Sequence, residues 1–259
     1  MKAGKFYSVV IIALMVLELV APLTLLVFTV APASVVAQSQ FASAEYARYN
    51  ISNYRLLIIV LDGVRFDFVN PKYMPFIAGY LKPRSLWFWG YTLLKSETRP
   101  FRAMLSSGAT PWFTGIDTND RTSIWAGLKT IVDAVHDLGY TTIAIIDNAG
   151  YAFFASESDS RWTTGYKASW TDYVVFGSTS DPSQEPPSLV ANYTIQMMDT
   201  HPDWKLMWVE IHYPDIVGHC WGGWGSANYI QAIMDSDAAV KQIYEELEMR
   251  GILNETVIL

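Results

Sequence analysis

The apolar positions of the chain follow two alternating patterns. From Leu56 to Leu61 every residue is apolar, and the run closes on Asp62-Gly63. A short, β-branched-rich run bounded by a turn pair predicts a strand buried on both faces, as in a parallel sheet. The same signature predicts strands over 141–146, 206–211 and 256–259. The apolar and aromatic stretch Leu86 to Leu94 is read as a further strand. Helical spacing fills the intervals. Ile124, Leu128, Ile131, Val132 and Val135 predict a helix over 122–138, stopped by Gly139. Helices are also expected over 71–82, 188–198 and 227–250, the last with Ile230, Ile233, Met234, Val240, Ile243 and Leu247 on one face. Another should start near Pro100, because proline suits the first helical turn. Strands alternating with helices predict an α/β fold, a parallel sheet covered by helices. Residues 147–172 carry no period and are read as an excursion, and 178–187 as a turn-rich loop.

The N-terminus breaks this rhythm. Lys2 and Lys5 precede a long apolar run from Phe6 to about Ala37, which ends in Val35-Val36-Ala37 before Gln38. A basic start, an apolar stretch and a small-residue cleavage-like site predict export. The run is also long enough to span a bilayer, although Glu18 would be costly at its centre. Residues 1–37 are therefore read as a signal peptide or membrane anchor, 38–53 as a polar linker, and 54–259 as the folded domain, placed outside the cytoplasm. Three glycosylation-type triplets begin at Asn50, Asn192 and Asn254; the pattern is short and common.

Composition narrows the field further. A chain of 259 residues holds one sizeable α/β domain. A net charge of −7 argues against nucleic acid as a partner held by a basic patch. The single cysteine, Cys220, excludes an internal disulfide and is read as a small buried residue. His136, His201 and His212 are read as structural. The clusters Trp87-Phe88-Trp89 and Trp221 to Trp224 are expected in the core or at the border of a cleft.

Three short stretches carry candidate chemistry. Asp62 ends a buried strand, where open α/β sheets place their ligands. Thr98 precedes Pro100 and so stands beside a helix N-terminus, which favours anions. Asp215 and His219 lie four apart in a stretch with proline and glycine, read as a bent loop, and carboxylate with imidazole suits zinc. Taken singly, Thr98 reads as an N-cap and Asp62 as a strand-end cap.

Together these stretches resemble the type I phosphodiesterase/nucleotide pyrophosphatase family of the alkaline phosphatase superfamily. The resemblance rests on Asp62-Gly63; on Thr98, Pro100 and Ser107-Gly108; on Pro111, Gly115-Ile116 and Asn119; and on Pro214, Asp215, Gly218, His219 and Gly222. It covers about residues 54 to 259. It implies an alkaline-phosphatase-like three-layer sandwich, a mostly parallel sheet with helices on both faces. It further implies metal-dependent hydrolysis of a small phosphodiester or nucleotide through a phosphothreonine on Thr98, with Asn119 donating to a phosphoryl oxygen. Two divalent metal ions, zinc by the resemblance, would be held in part by Asp62 and Thr98 and in part by Asp215 and His219.

There are departures from the family pattern. Phe101 and Thr114 stand where the family has Asn and His. A later S-D-H-G and a last His, three metal ligands in all, find no match before Leu259. The fold is therefore expected to be C-terminally incomplete, and the 259-residue chain to bind zinc poorly and turn over little by itself. Thr98-Arg-Pro-Phe-Arg102 also resembles the sulfatase signature, but threonine cannot supply the formylglycine that sulfatases need. Two further readings compete: a membrane-associated phosphoethanolamine-type transferase, which also uses a threonine nucleophile, and a non-catalytic exported binding protein.

Overall fold

The computed structural model describes residues 53–90, 97–119, 129–146, 172–176 and 186–259. The reading of 1–37 as signal or anchor, and nearly all of the 38–53 linker, the 147–172 excursion and the 178–187 loop, fall outside them. The chain divides into two units, Met1–Tyr54 and Arg55–Leu259, and the described residues lie almost wholly in the second.

Among the described residues, five strands form one sheet: β1 (Arg55–Leu61), β2 (Thr142–Ile146), β3 (Tyr173–Phe176), β4 (Leu206–Ile211) and β5 (Thr256–Ile258). Their order is β3-β2-β4-β1-β5, and every pairing is parallel. The register of the central pair runs from Leu56 opposite Leu206 to Leu61 opposite Ile211. β4 is buried at all six positions, which is why its run is continuously apolar apart from Glu210.

Strand side chains alternate between the two faces, and each face is covered by helices. Leu57, Ile143, Ile145, Met207, Val209 and Ile211 pack with Val190, Ala191 and Met198 of α4 (Pro187–Thr200) and with Ala239, Val240, Ile243 and Leu247 of α6 (Ala227–Met249). Ile58, Val60, Ala144, Ile146, Leu206 and Trp208 pack with Ala103 of α1 (Thr98–Ser107), Ile116 after α2 (Pro111–Thr114), and Val132 of α3 (Ile131–Asp137). This is the three-layer α/β sandwich expected. Each such aliphatic side chain, once fully buried, contributes about 1.5–3 kcal/mol.

Several elements differ from the periodicity reading. The helix expected over 71–82 is a π-helix, Pro75–Leu81, followed by a 3-10 turn, Lys82–Arg84. Its first turn is capped from another element: the Asp237 carboxylate on α6 accepts from the Phe76 and Ile77 N–H groups, at 2.9 and 2.7 Å. Residues 86–90 form no strand, and 91–96 lie outside the described residues. Of the helix expected over 122–138, residues 122–128 lie outside the described residues; beyond them a helix begins at Ile131, where Thr130 and Asp133 form a capping box. The stretch read as a bent loop is a helix, α5 (Tyr213–Cys220). Its Gly218 serves packing rather than bending: a Cβ there would meet the Trp224 ring at 2.6 Å. Cys220 is exposed, not buried, because it sits at the solvent side of the last turn of α5.

Candidate active site

The site is built where β1 and β4 end. The Asp62 N–H donates to the Ile211 carbonyl at 3.0 Å, so Asp62 and His212 leave adjacent parallel strands at the same level. The chain then turns at Gly63, with φ of 71°, and a Cβ there would lie 2.5 Å from the Asp215 Cα. Only glycine lets the first turn of α5 come this close to the end of β1. Tyr229 of α6 holds the turn, donating to the Gly63 carbonyl at 2.6 Å and accepting from the Arg65 N–H at 3.0 Å.

Thr98 is the first residue of α1, after Glu97 at the N-cap. Its hydroxyl donates to Asp62 Oδ2 at 3.1 Å. One turn on, Arg102 Nη2 lies 3.3 Å from the same oxygen. The Arg102 side chain is 1% exposed, and on its other side its Nε pairs with the Glu210 carboxylate of β4, which is fully buried. His212 Nδ1 approaches Asp62 Oδ2 at 2.6 Å. Burial pushes the Asp62 carboxyl up, but the His212 hydrogen bond, the Arg102 and His212 charges and the Thr98 hydroxyl outweigh it, holding it down at about 2.

Asn119 is fastened to the same helix end. Its Oδ1 accepts from the Arg99 N–H at 3.0 Å, its own N–H donates to Glu97 Oε2 at 2.6 Å, and the Arg99 guanidinium donates to its carbonyl. Its side-chain amide therefore sits one residue from Thr98 along the start of α1.

Asp215 lies in the first turn of α5, between two imidazoles. His212 Nε2 is 3.3 Å from its Oδ2, and His219 Nε2 is 3.7 Å from its Oδ1. Burial, and then the Asp62 charge, raise the Asp215 carboxyl above its ordinary value, against His212, His219 and Arg102. His219 is 67% exposed, with its ring edge-on to Trp224 at 5.2 Å.

The residues singled out from the sequence, Asp62, Thr98, Asn119, Asp215 and His219, are thus brought to one end of the sheet. One ligand atom each from Asp62, His212 and Asp215 lie within 4.8 Å of one another. Two carboxylates and an imidazole at that separation fit a divalent transition metal. Sequence reasoning missed His212, taken as structural, together with Arg102 and Glu210. A signal existed for each. His212 follows β4 as Asp62 follows β1, and Glu210 is a charge inside an otherwise apolar strand. Thr114, where the resembling family has His, is buried and accepts from the Ile116 N–H at 3.2 Å, so it is committed to the turn. His136 pairs with Asp172 at 3.3 Å, at the opposite end of the sheet.

The sequence profile of the family described as type I phosphodiesterase / nucleotide pyrophosphatase matches residues 56–259. Comparison with curated proteins gives no match. Among solved structures, the chain is similar to murine ectonucleotide pyrophosphatase/phosphodiesterase 5, an inactive form of which was solved with AMP. Identity is 15% and the TM-score 0.58, over 79% of this chain and 55% of that one. It is similar to a sulfatase-type protein from Bacteroides fragilis, at 16% identity and TM-score 0.57, over 81% and 61%. It is also similar to phosphonoacetate hydrolase from Sinorhizobium meliloti, solved with phosphonoformate, at 13% identity and TM-score 0.54, over 75% and 54%. At these identities the likeness is one of fold. The chain spans between 54% and 61% of the length of these three proteins.

Proposed function

The chain belongs to the type I phosphodiesterase/nucleotide pyrophosphatase family, and on that premise we propose that it hydrolyses a phosphodiester or nucleotide pyrophosphate bond with Thr98 as nucleophile. The observation that carries this reading is the Thr98 hydroxyl, at the first position of α1 and hydrogen-bonded to Asp62 at 3.1 Å. Phosphoryl transfer needs a nucleophile aimed at phosphorus and positive charge around the equatorial oxygens. The N-terminus of α1 turns its positive dipole end toward an anion at Thr98.

In this mechanism Thr98 Oγ1 forms the bond to phosphorus while the bond to the leaving oxygen breaks. Water then attacks the same phosphorus and breaks its bond to Thr98 Oγ1; the phosphate monoester, which keeps the second ester group, is released and the hydroxyl is restored. Asp62 orients the hydroxyl but is a weak base, since its carboxyl stays ionised down to about 2. The Asn119 Oδ1 is already taken by the Arg99 N–H, which leaves its amide N–H groups to donate to a non-bridging oxygen. Divalent ions, zinc in this reading, held by Asp62 and Thr98 and by Asp215 and His219, would lower the pKa of the hydroxyl and neutralise developing charge. The substrate in this reading is a small phosphodiester or nucleotide. Threonine at position 98 disfavours the sulfatase chemistry, because it cannot become the aldehyde.

We place the domain outside the cytoplasm, exported or anchored through residues 1–37, on the basic and apolar pattern of that segment. No helix among the described residues is long and apolar enough to cross a membrane. Fractionation of the native host, with mass determination of the mature N-terminus, tests this placement.

The activity is tested by assaying the full-length protein with zinc against bis(p-nitrophenyl) phosphate, p-nitrophenyl phosphate and p-nitrophenyl sulfate. The diester is expected to turn over fastest. Thr98→Ala is expected to lower turnover by about 10⁴-fold or more, as loss of a nucleophile does. Preference for the sulfate ester, or full turnover by Thr98→Ala, would sink the proposal.

A further inference from the structure

Thr98 stands between two residues of opposite charge, Glu97 and Arg99. Glu97 occupies the N-cap of α1, yet its side chain makes no capping hydrogen bond to that helix. It reaches instead to a residue 22 positions on, where its Oε2 accepts from the Asn119 N–H at 2.6 Å. A hydrogen bond that short, to a carboxylate, is charge-assisted and among the stronger ones. On the other flank of Thr98, the Arg99 guanidinium donates to the Asn119 carbonyl. Both main-chain polar groups of Asn119 are therefore held by the side chains of the residues just before and just after Thr98.

The Asn119 side chain is oriented from the same place. The Arg99 N–H is a donor and meets the amide at its Oδ1, at 3.0 Å, which fixes which way the amide faces. Of the N–H groups that open α1, that of Arg99 is thus engaged by Asn119 and that of Phe101 by the Glu97 carbonyl at 3.2 Å, while Pro100 has none. Hydrogen bonds from this helix end to a phosphoryl oxygen therefore rest chiefly on the Asn119 amide. A donor aimed at charge that develops in the transition state is effective only in a fixed place, and a misplacement of about 1 Å costs about 100-fold in rate.

We infer that Glu97 and Arg99 are positioning residues, which clasp the Asn119 main chain so that its amide stands at a set distance from the Thr98 hydroxyl. The nucleophile and its donor then hang on one short stretch, 97–99, and move together. The effect of both residues passes through Asn119, without contact to the substrate. The inference rests on the reading of Thr98 as nucleophile and Asn119 as donor.

The test measures kcat and KM of the full-length, zinc-loaded protein on bis(p-nitrophenyl) phosphate, with urea midpoints alongside. Asn119→Ala should lower kcat by about 10²–10³-fold, as loss of one such donor does. Glu97→Ala should lower kcat by about 10- to 100-fold, with KM changed less than about 3-fold. Glu97→Gln keeps an oxygen that accepts from the Asn119 N–H and should recover most of that loss. In the Asn119→Ala background, Glu97→Ala should cost less than about 3-fold more, because no amide remains to be positioned. Arg99→Met keeps the stem of the side chain, should follow the same pattern, and decides the matter if Glu97→Ala does not fold. A kcat within about 3-fold of the parent in either folded single variant, or a loss that persists in the Asn119→Ala background, overturns the inference. Loss of turnover in Thr98→Ala alongside such a result leaves the nucleophile reading standing. Full turnover by Thr98→Ala, or none by the parent, overturns both.

Discussion

Asp62 and Asp215 approach the same imidazole from opposite sides, yet the protein treats them in opposite ways. Asp62 accepts from Thr98 and faces Arg102 and His212 around one oxygen. Its charge is neutralised by the fold, and its carboxyl is held down at about 2 despite burial. Among the described residues, Asp215 has the two histidines within ion-pair distance, and burial and the Asp62 charge push its carboxyl up. One half of the site is complete in the protein's own charges. The other carries negative charge that the protein does not fully balance, and that half gains most from a bound cation.

The largest expected effect comes from disturbing what completes the Asp62 half. Glu210→Gln removes one of the two carboxylates around the buried Arg102 guanidinium. Breaking a buried pair from one side costs about 3–5 kcal/mol, whereas replacing both partners by apolar groups is often neutral. Urea unfolding should therefore show a large loss in Glu210→Gln and substantial recovery in Arg102→Met/Glu210→Leu. The double variant should nevertheless lose turnover, because Asp62 then lacks its guanidinium. A single variant within about 1 kcal/mol of the parent would mean that the pair does not sustain the contrast.

A smaller effect is expected where the two halves touch. Gly63→Ala places a Cβ against the Asp215 backbone at a positive φ. The left-handed conformation alone costs a non-glycine residue about 1–3 kcal/mol, and Asp215 must also move away from Asp62. Chelator competition should show weaker zinc binding in this variant. A stability loss with unchanged affinity would show that the separation of the two carboxylates is not what matters.

The smallest effect distinguishes the two carboxylates by sign. The folded value of Asp62 lies below its ordinary 3.8, so its contribution is present above that value and is lost as pH falls through about 2. The shift corresponds to about 2 kcal/mol. Asp215 is raised, so its contribution is present below its ordinary value and is lost as pH rises through its folded one. Urea midpoints between about pH 2 and 5, measured in chelator, should fall with acid in the parent. They should fall less in Asp62→Asn and more in Asp215→Asn. The same slope in all three would erase the contrast.

Sequence by itself determined four of the five described strands and their parallel class; β3 (Tyr173–Phe176) was not read from it. Four short, largely apolar runs, at 56–61, 141–146, 206–211 and 256–259, read as buried strands because their side chains must be covered on both faces. Asp62, Thr98, Asp215 and His219 were legible as chemistry from their places after two of those runs and at a helix start, and Asn119 through the family resemblance. Their neighbours were not legible in the same way. His212 looks like a lone histidine until the register of β1 on β4 puts it beside Asp62, and Arg102 looks like a surface residue of α1 until Glu210 meets it from β4. The 213–219 segment contains the proline and glycine of a loop, but proline is accepted in a first helical turn and Gly218 leaves room for Trp224. Contacts between residues distant in the chain depend on register and packing, which local pattern does not encode, and it is these contacts that give the two carboxylates opposite electrostatic settings.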